Sequence, residues 1–80
     1  MKDSVNIQIV DMDDLIEFRQ TISQFSGEAY LIKGTYKCDA KSLMGILAID
    51  VSSPTKLEFD ISDREEILDL MNKYIVKSNS

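Results

Sequence analysis

The sequence predicts an α+β fold: an open-faced β-sandwich in which three helices cover one face of a four-stranded antiparallel sheet. Apolar and polar residues alternate over Val5–Ile9 and Lys56–Ile61, as in half-buried strands. Elsewhere, apolar residues recur at spacings of three and four, as in amphipathic helices. The resulting element order is β-α-β-β-α-β-α. A four-stranded antiparallel sheet with helices packed on one face accommodates this order.

The first strand and the first helix occupy the N-terminal third of the chain. After the alternating segment Val5–Ile9, the acidic cluster Asp11–Asp14 turns the chain into the helix. Two of its aspartates fall in the first helical turn, where the helix dipole favours negative charge by about 0.3–1 kcal/mol each. We expect Ser26-Gly27 to end the helix. Its apolar stripe comprises Leu15, Phe18, Ile22 and Phe25.

The middle of the chain predicts a β-hairpin and then a short helix. Glu28–Lys33 is predicted as the second strand, Gly34-Thr35 as the turn and Tyr36–Cys38 as the third strand. Ser42 is suited to cap the helix that follows. We expect this helix to run to about Asp50.

The last strand and helix follow a proline-containing loop, Ser52–Pro54. Leu57, Phe59 and Ile61 form the most regular strand pattern in the chain. Ser62–Glu65 has the spacing of a capping box and predicts the start of the last helix. We expect one domain over residues 1–80, ordered from about 4 to 75 and frayed at 77–80. The stripe of the last helix comprises Ile67, Leu70, Met71, Tyr74 and Ile75.

The composition excludes several classes of function. A net charge of −5 argues against nucleic acid and against an anionic membrane surface. With no histidine and only Cys38, the chain offers neither an internal disulfide nor a zinc site of Cys and His ligands. We expect no metal and no cofactor; the alternative is a Mg²⁺ or Ca²⁺ site built from carboxylates alone. The N-terminus lacks the apolar core of a signal peptide and no run is long enough to span a membrane, so we expect a cytoplasmic protein.

One motif carries a resemblance to a known family. Lys41–Gly45 reads Lys-Ser-Leu-Met-Gly at the start of the second predicted helix. It resembles the Lys-Ser-Ile/Leu-Met-Gly segment of the HPr phosphocarrier proteins of the bacterial sugar phosphotransferase system. The element order matches this family over residues 4–75, and the resemblance implies the open-faced sandwich. In the family, a Gly-x-His-Ala-Arg-Pro segment joins the first strand to the first helix, and its imidazole accepts a phosphoryl group.

The histidine that accepts the phosphoryl group in the family has no counterpart in this sequence. The matching segment is Val10–Asp14, and counting back from Ser42 without gaps places Asp11 at the histidine and Asp13 at the arginine. A chain without histidine has no phosphohistidine chemistry, and we predict no enzymatic activity. An acyl phosphate on Asp11 is disfavoured, because the neighbouring carboxylates would repel it. These acidic residues suit a helix start instead.

The resemblance implies a second candidate, Ser42. In Gram-positive members of the family the serine of this motif is phosphorylated by a dedicated kinase, and a histidine-lacking relative that acts in catabolite repression keeps only this serine. Free N–H groups at a helix start suit a phosphate. Ser42 alternatively serves as an N-cap alone, worth about 1 kcal/mol. Asp39 would oppose the added charge.

The third candidate is an apolar group on the second helix, Leu43, Met44 and Leu47. In the family, the equivalent exposed residues dock onto partner proteins, and methionine adapts well to varied surfaces. The alternative is that part of this group belongs to the core. Ile46 and Ile49 fit the core-facing positions, which would leave the three candidates near the surface.

We therefore predict an HPr-like regulatory or protein-binding module, whose partner is a regulator, a kinase or a transport component. The alternative is a repurposed scaffold or oligomerisation domain of unknown role. We expect the protein to be a monomer or a homodimer. Tyr30, Ile32 and Tyr36 are candidates for an apolar patch on the open face of the sheet, which would indicate a dimer or a contact with a partner. Cys38 is expected to pack as a small hydrophobic residue.

Overall fold

The computed structural model describes residues 1–76, and the prediction for residues 77–80 lies outside this range. Within it, four strands form one antiparallel sheet and three helices cover one of its faces. The predicted fold class is confirmed. No helix among these residues is long and apolar enough to cross a membrane. The elements are β1 (Lys2–Ile7), α1 (Met12–Ile22), β2 (Ala29–Lys33), β3 (Tyr36–Asp39), α2 (Leu43–Leu47), β4 (Thr55–Asp60) and α3 (Arg64–Met71).

The sheet has the strand order β1-β4-β2-β3, so the last strand in sequence lies in the interior of the sheet. Leu57 of β4 pairs with Val5 of β1 on one side and with Leu31 of β2 on the other. Residues opposite each other in antiparallel strands share a face. This row points toward the helices and forms the floor of the core. Large buried side chains above and around it include Phe18, Phe25, Phe59, Ile67 and Met71.

The first strand lies nearer the N-terminus than predicted. β1 ends at Ile7, opposite Thr55 of β4. The next position along β4 would be Pro54, which has no N–H to donate to the ladder. Ile9, predicted to lie in the strand, is buried beyond it, and its N–H donates to the carbonyl of Val51 at 2.8 Å.

The first helix ends earlier than predicted. The expected end at Ser26-Gly27 is wrong, because α1 ends at Ile22. The hydroxyl of Ser23 donates to the carbonyl of Arg19 at 2.7 Å. Such side-chain bonds to the backbone compete with continuation of the helix. Phe25 belongs to the core, as its spacing predicts, but it lies beyond the helix.

The start of the last helix also differs from the prediction. β4 ends at Asp60, so Ile61 lies outside the strand and 46% of its surface is exposed. The carboxylate of Asp60 accepts the backbone N–H and the hydroxyl of Ser62, at 3.0 and 2.9 Å. This local turn uses the serine that the predicted capping box requires. Asp63 precedes α3 without a side-chain capping bond.

The apolar stripe of the last helix is divided between α3 and the segment after it. α3 ends at Met71, whereas the predicted stripe runs to Ile75. Tyr74 is buried, but its carbonyl accepts the N–H of Gln8 at 2.9 Å. The N–H of Val76 donates to a carbonyl of β1 at 2.8 Å. The chain after α3 therefore pairs along the outer edge of β1 instead of continuing the helix.

The predicted two-residue turn closes the β2–β3 hairpin. Gly34 has φ +62°, whereas φ of Thr35 is not positive. A glycine with positive φ at the first of two turn residues is the pattern of a type II′ turn, which fits hairpins. The turn sets Tyr36 directly opposite Lys33. The tyrosine hydroxyl lies 3.4 Å from the carbonyl of Gly45 in α2.

The prediction of an apolar patch on the open face is wrong for Tyr36, one of its three residues. Tyr36 shares a face with Lys33, on the helix side of the sheet. Tyr30 and Ile32 lie on the open face, and both are half-buried. The ammonium of Lys37 lies 4.6 Å from the centre of the Tyr30 ring. Polar and charged neighbours therefore surround the two remaining members of the patch.

The second helix lies against β3 at a glycine contact. A Cβ at Gly45 would lie 2.9 Å from the Cβ of Cys38 and 3.3 Å from the hydroxyl oxygen of Ser42. The half-buried Cys38 packs against the core, which confirms its predicted packing role. α2 ends at Leu47 and does not reach Asp50 as predicted. Gly45 thus allows a short helix to approach the sheet closely.

We expect Gly45→Ala to destabilise the protein by about 1–2 kcal/mol. Overpacking against Cys38 costs about 1–3 kcal/mol, and it outweighs the gain in helix propensity of up to about 1 kcal/mol. Urea unfolding measures the change in the free energy of unfolding. Met44→Ala, at a position that is 79% exposed on the same helix, is the control and should change it by less than about 0.5 kcal/mol. Stabilisation by Gly45→Ala would contradict the close contact.

Candidate functional site

The start of α1 lies beside the segment that joins α2 to β4. Two hydrogen bonds connect them. The N–H of Ile9 donates to the carbonyl of Val51 at 2.8 Å, and the side-chain amide of Gln8 donates to the carbonyl of Ser52 at 2.6 Å. The α2–β4 connection is also bonded to β2, because the ammonium of Lys33 donates to the carbonyl of Asp50. These bonds hold the segment around Gln8 and Ile9 against the segment around Val51 and Ser52, about forty residues later in the sequence, so that the two segments form one surface.

A shallow pocket of about 180 Å³ lies between these two stretches. Its apolar lining includes Met12, Leu15 and Ile49, and its two carboxylates belong to Asp11 and Asp50. The hydroxyl and the backbone N–H of Ser52 both donate to Asp50 and lower the pKa of its carboxyl. Ser42 does not line this pocket.

Asp11 is the N-cap of α1. Its backbone is extended, and its carboxylate accepts the N–H of Asp14 at 2.9 Å. The carbonyl of Asp11 accepts the N–H of Leu15 at 3.0 Å. The prediction that acidic residues begin this helix is confirmed. A side chain of the protein itself therefore satisfies a donor at the helix start that would otherwise be free to bind an external anion.

The predicted N-cap role of Ser42 is confirmed as well. Its hydroxyl oxygen accepts the N–H of Gly45 at 3.2 Å, and its own N–H donates to the carbonyl of Asp39 at 3.0 Å. The ammonium of the preceding Lys41 donates to the carbonyls of Phe25 and Gly27, which lie at the far end of the α1–β2 connection. That lysine therefore anchors a loop instead of facing the serine.

The three docking candidates on α2 are on the surface. Met44 is 79% exposed, Leu47 is 49% exposed and Leu43 is 38% exposed. Ile46 is fully buried and Ile49 is half-buried, as the sequence spacing predicts. The docking role of the exposed side chains stays a prediction.

Three further exposed apolar residues were missed by the sequence reasoning. Val10 is 75% exposed, Met12 is 58% exposed and Ile16 is 46% exposed. The last two are four residues apart, so they share one face of α1. Both fall outside the buried stripe of that helix, and this offset is the signal that could have identified them.

The thiol and the carboxylates offer little for metal or redox chemistry. Burial and the nearby Asp39 carboxylate raise the pKa of the Cys38 thiol, which disfavours the reactive thiolate. Within residues 1–76, no group of three or more Cys, Asp or Glu side chains is arranged to hold a metal ion.

Comparison with known proteins identifies the family, although no family model matches the chain. Two proteins named phosphocarrier protein HPr, from Neisseria meningitidis serogroups A and B, are each 30% identical to it. Each alignment spans 64 residues and covers 72% of this chain and 72% of the relative. The chain belongs to the HPr family.

Solved structures of HPr proteins have the same fold as this family member. HPr from Bacillus anthracis is 25% identical, with a TM-score of 0.71 over 95% of this chain and 96% of that structure. HPr-C-His from Thermoanaerobacter tengcongensis is 26% identical, with a TM-score of 0.68 over 91% of this chain and 88% of that structure. The similarity thus extends over nearly the whole length of both structures.

We expect Ser42→Ala to lower the free energy of unfolding of this HPr-family chain by about 1 kcal/mol, because it removes the cap of α2. Ser42→Asn is the matched control, since asparagine caps helices about as well as serine. Urea unfolding of both variants and the parent chain measures the effect. Equal stability of Ser42→Ala and the parent would show that the bond to the Gly45 N–H contributes nothing.

Proposed function

We propose that this HPr-family chain is a regulatory protein-binding module that does not transfer phosphoryl groups through histidine. One observation carries the proposal: a carboxylate caps the first helix in a sequence of 80 residues that has no histidine. The family resemblance assigns Asp11 to the position of the phosphate-accepting imidazole. The side chain at this position stabilises the helix instead of carrying a group to another protein.

An acyl phosphate on Asp11 is not supported by its surroundings. Asp13 and Asp14 follow it directly, and their charges oppose a second anion. The ammonium of Lys73 pairs with Asp14 and Glu17 of α1. Within residues 1–76, no salt bridge brings a cation to Asp11. Within the described residues, an aspartyl phosphate at Asp11 would therefore have no lysine or arginine of the protein paired with it.

The exposed apolar side chains support binding of a protein. We call them the docking surface, and it has two parts, one at the start of α1 and one on α2. Large apolar side chains at such exposure cost free energy in water unless a partner covers them. Methionine adapts to differently shaped partners. The docking surface comprises Val10, Met12 and Ile16 from the start of α1, and Leu43, Met44 and Leu47 from α2.

The family relationship suggests the partners. The relatives are phosphocarrier proteins, so we propose a regulator, a kinase or a transport component of the sugar phosphotransferase system as the partner of this chain. Phosphorylation of Ser42 is the proposed means of regulation. Support comes from the position of Ser42 at the edge of α2, half-buried and directly before Leu43 and Met44. A phosphate there would change the charge beside the docking surface.

The absence of carrier activity is testable with phosphoenolpyruvate and Enzyme I of the phosphotransferase system. We expect no acid-labile phosphate on this chain, since it has no imidazole to accept one. HPr from Neisseria meningitidis, incubated in parallel, is the positive control. Intact-protein mass spectrometry at neutral pH measures the added mass. An acid-labile phosphate on this chain would contradict the proposal.

Regulation at Ser42 is tested separately with the family's serine kinase and ATP. We expect one phosphate, located on Ser42 by peptide mass spectrometry, and none on Ser42→Ala. The Ser52→Ala variant, which changes a serine of the α2–β4 connection, should be modified like the parent. An unmodified Ser42 would remove the phosphoserine part of the proposal and leave the binding module in place.

A further inference from the structure

We propose that the partner of the docking surface presents lysine or arginine side chains next to apolar ones. This inference rests on the proposed function, namely that the surface binds a protein, and it adds the chemistry of that protein. It comes from the carboxylates that accompany the exposed apolar side chains. The partner would place an apolar side chain on the pocket between Met12 and Ile49, and a cation beside Asp11 and Asp50.

The carboxylates at this surface are available to a partner. Asp11 and Asp50 line the pocket, and the exposed Asp13 follows in the first turn of α1. Their hydrogen bonds come from the protein's own N–H and hydroxyl groups. Such neutral donors do not cancel the negative charge, and at Asp50 the nearby Lys33 ammonium also favours the charged carboxylate and lowers the pKa of that carboxyl. Among residues 1–76, none of the three aspartates forms a salt bridge.

The basic side chains around this surface are held by bonds within the protein or lie at the other end of α1. The ammonium of Lys33 donates to the Asp50 carbonyl and to the Ser53 hydroxyl, and so anchors the backbone of the connection. The ammonium of Lys73 pairs with Asp14 and Glu17, and Arg19 lies in the last turn of α1, away from its start. The pocket itself is lined by no basic residue. Complementary charge steers association and excludes partners of like charge.

A second acidic region shows that charge alone does not define the surface. A wide, open depression on α3 is lined by Glu65, Glu66 and Asp69. Its apolar member, Leu68, is half-buried, and no large exposed apolar side chain lies on α3. The start of α1 combines carboxylates with exposed Val10 and Met12. A partner with both basic and apolar side chains would bind the start of α1 in preference to α3. A partner with basic side chains alone would not discriminate between them.

The test uses the full chain labelled with ¹⁵N and two synthetic amphipathic peptides of equal length, one of leucine and lysine and the other of leucine and glutamate. We expect the leucine–lysine peptide to shift the amide resonances of residues 10–16 and 43–52, and the leucine–glutamate peptide to shift them far less. The double variant Asp11→Asn/Asp50→Asn should weaken binding of the leucine–lysine peptide about two- to fivefold for each charge removed. Asparagine retains an oxygen for the cap of α1 and for the Ser52 bonds, so the variant should fold.

The control variant is Glu65→Gln/Asp69→Asn on α3, which removes the same number of charges and should leave binding unchanged. If the leucine–glutamate peptide binds the docking surface equally well, the basic partner is wrong and the docking surface stands. If the leucine–lysine peptide shifts only residues of α3, or if neither peptide shifts residues 10–16 and 43–52, the docking surface is wrong as well. If the Asp11→Asn/Asp50→Asn variant binds like the parent, the assignment of the cation to these two carboxylates is overturned.

Discussion

The strand β4 imposes the constraint on which the rest of the structure depends. It is paired on both sides, and its buried residues Thr55, Leu57 and Phe59 alternate with the more exposed Lys56 and Glu58. A shift of one residue in its register would turn this whole row toward solvent. Because only one face of β4 is buried, this strand decides which face of the sheet all three helices cover.

The candidate site is a consequence of where that strand begins. Pro54 stops the pairing of β4 with β1, and the chain before it is free to leave the sheet. It crosses to the start of α1, where the Val51 carbonyl accepts the N–H of Ile9. The close contact of Gly45 with Cys38 holds α2 on the neighbouring strand. Two local features, a proline and a glycine, therefore fix the two ends of the α2–β4 connection, which lies beside the start of α1.

The sequence predicted the fold class and the cap at Ser42, because strict alternation and capping chemistry are local signals. It misplaced Ile61, since the Asp60 carboxylate competes locally with extension of the strand. It also misplaced Tyr36, because β2 is apolar on both faces and alternation alone does not assign a face to its neighbour. The two-residue turn fixes that assignment. The exposure of Met12 was not predicted, because this residue lies outside the apolar stripe of α1 and exposure depends on what packs against the helix.

The carboxylate cap of α1 also has a consequence for pH dependence at this end of the molecule. Histidine is the side chain whose ordinary pKa lies in the range of cellular pH, so an imidazole exposed at a helix start gains or loses charge as the surroundings become more or less acidic. The 80 residues contain no histidine, and the side chain that caps α1 is the carboxylate of Asp11. The recognition proposed for this surface is thus expected to be independent of imidazole protonation and to vary with the salt concentration instead.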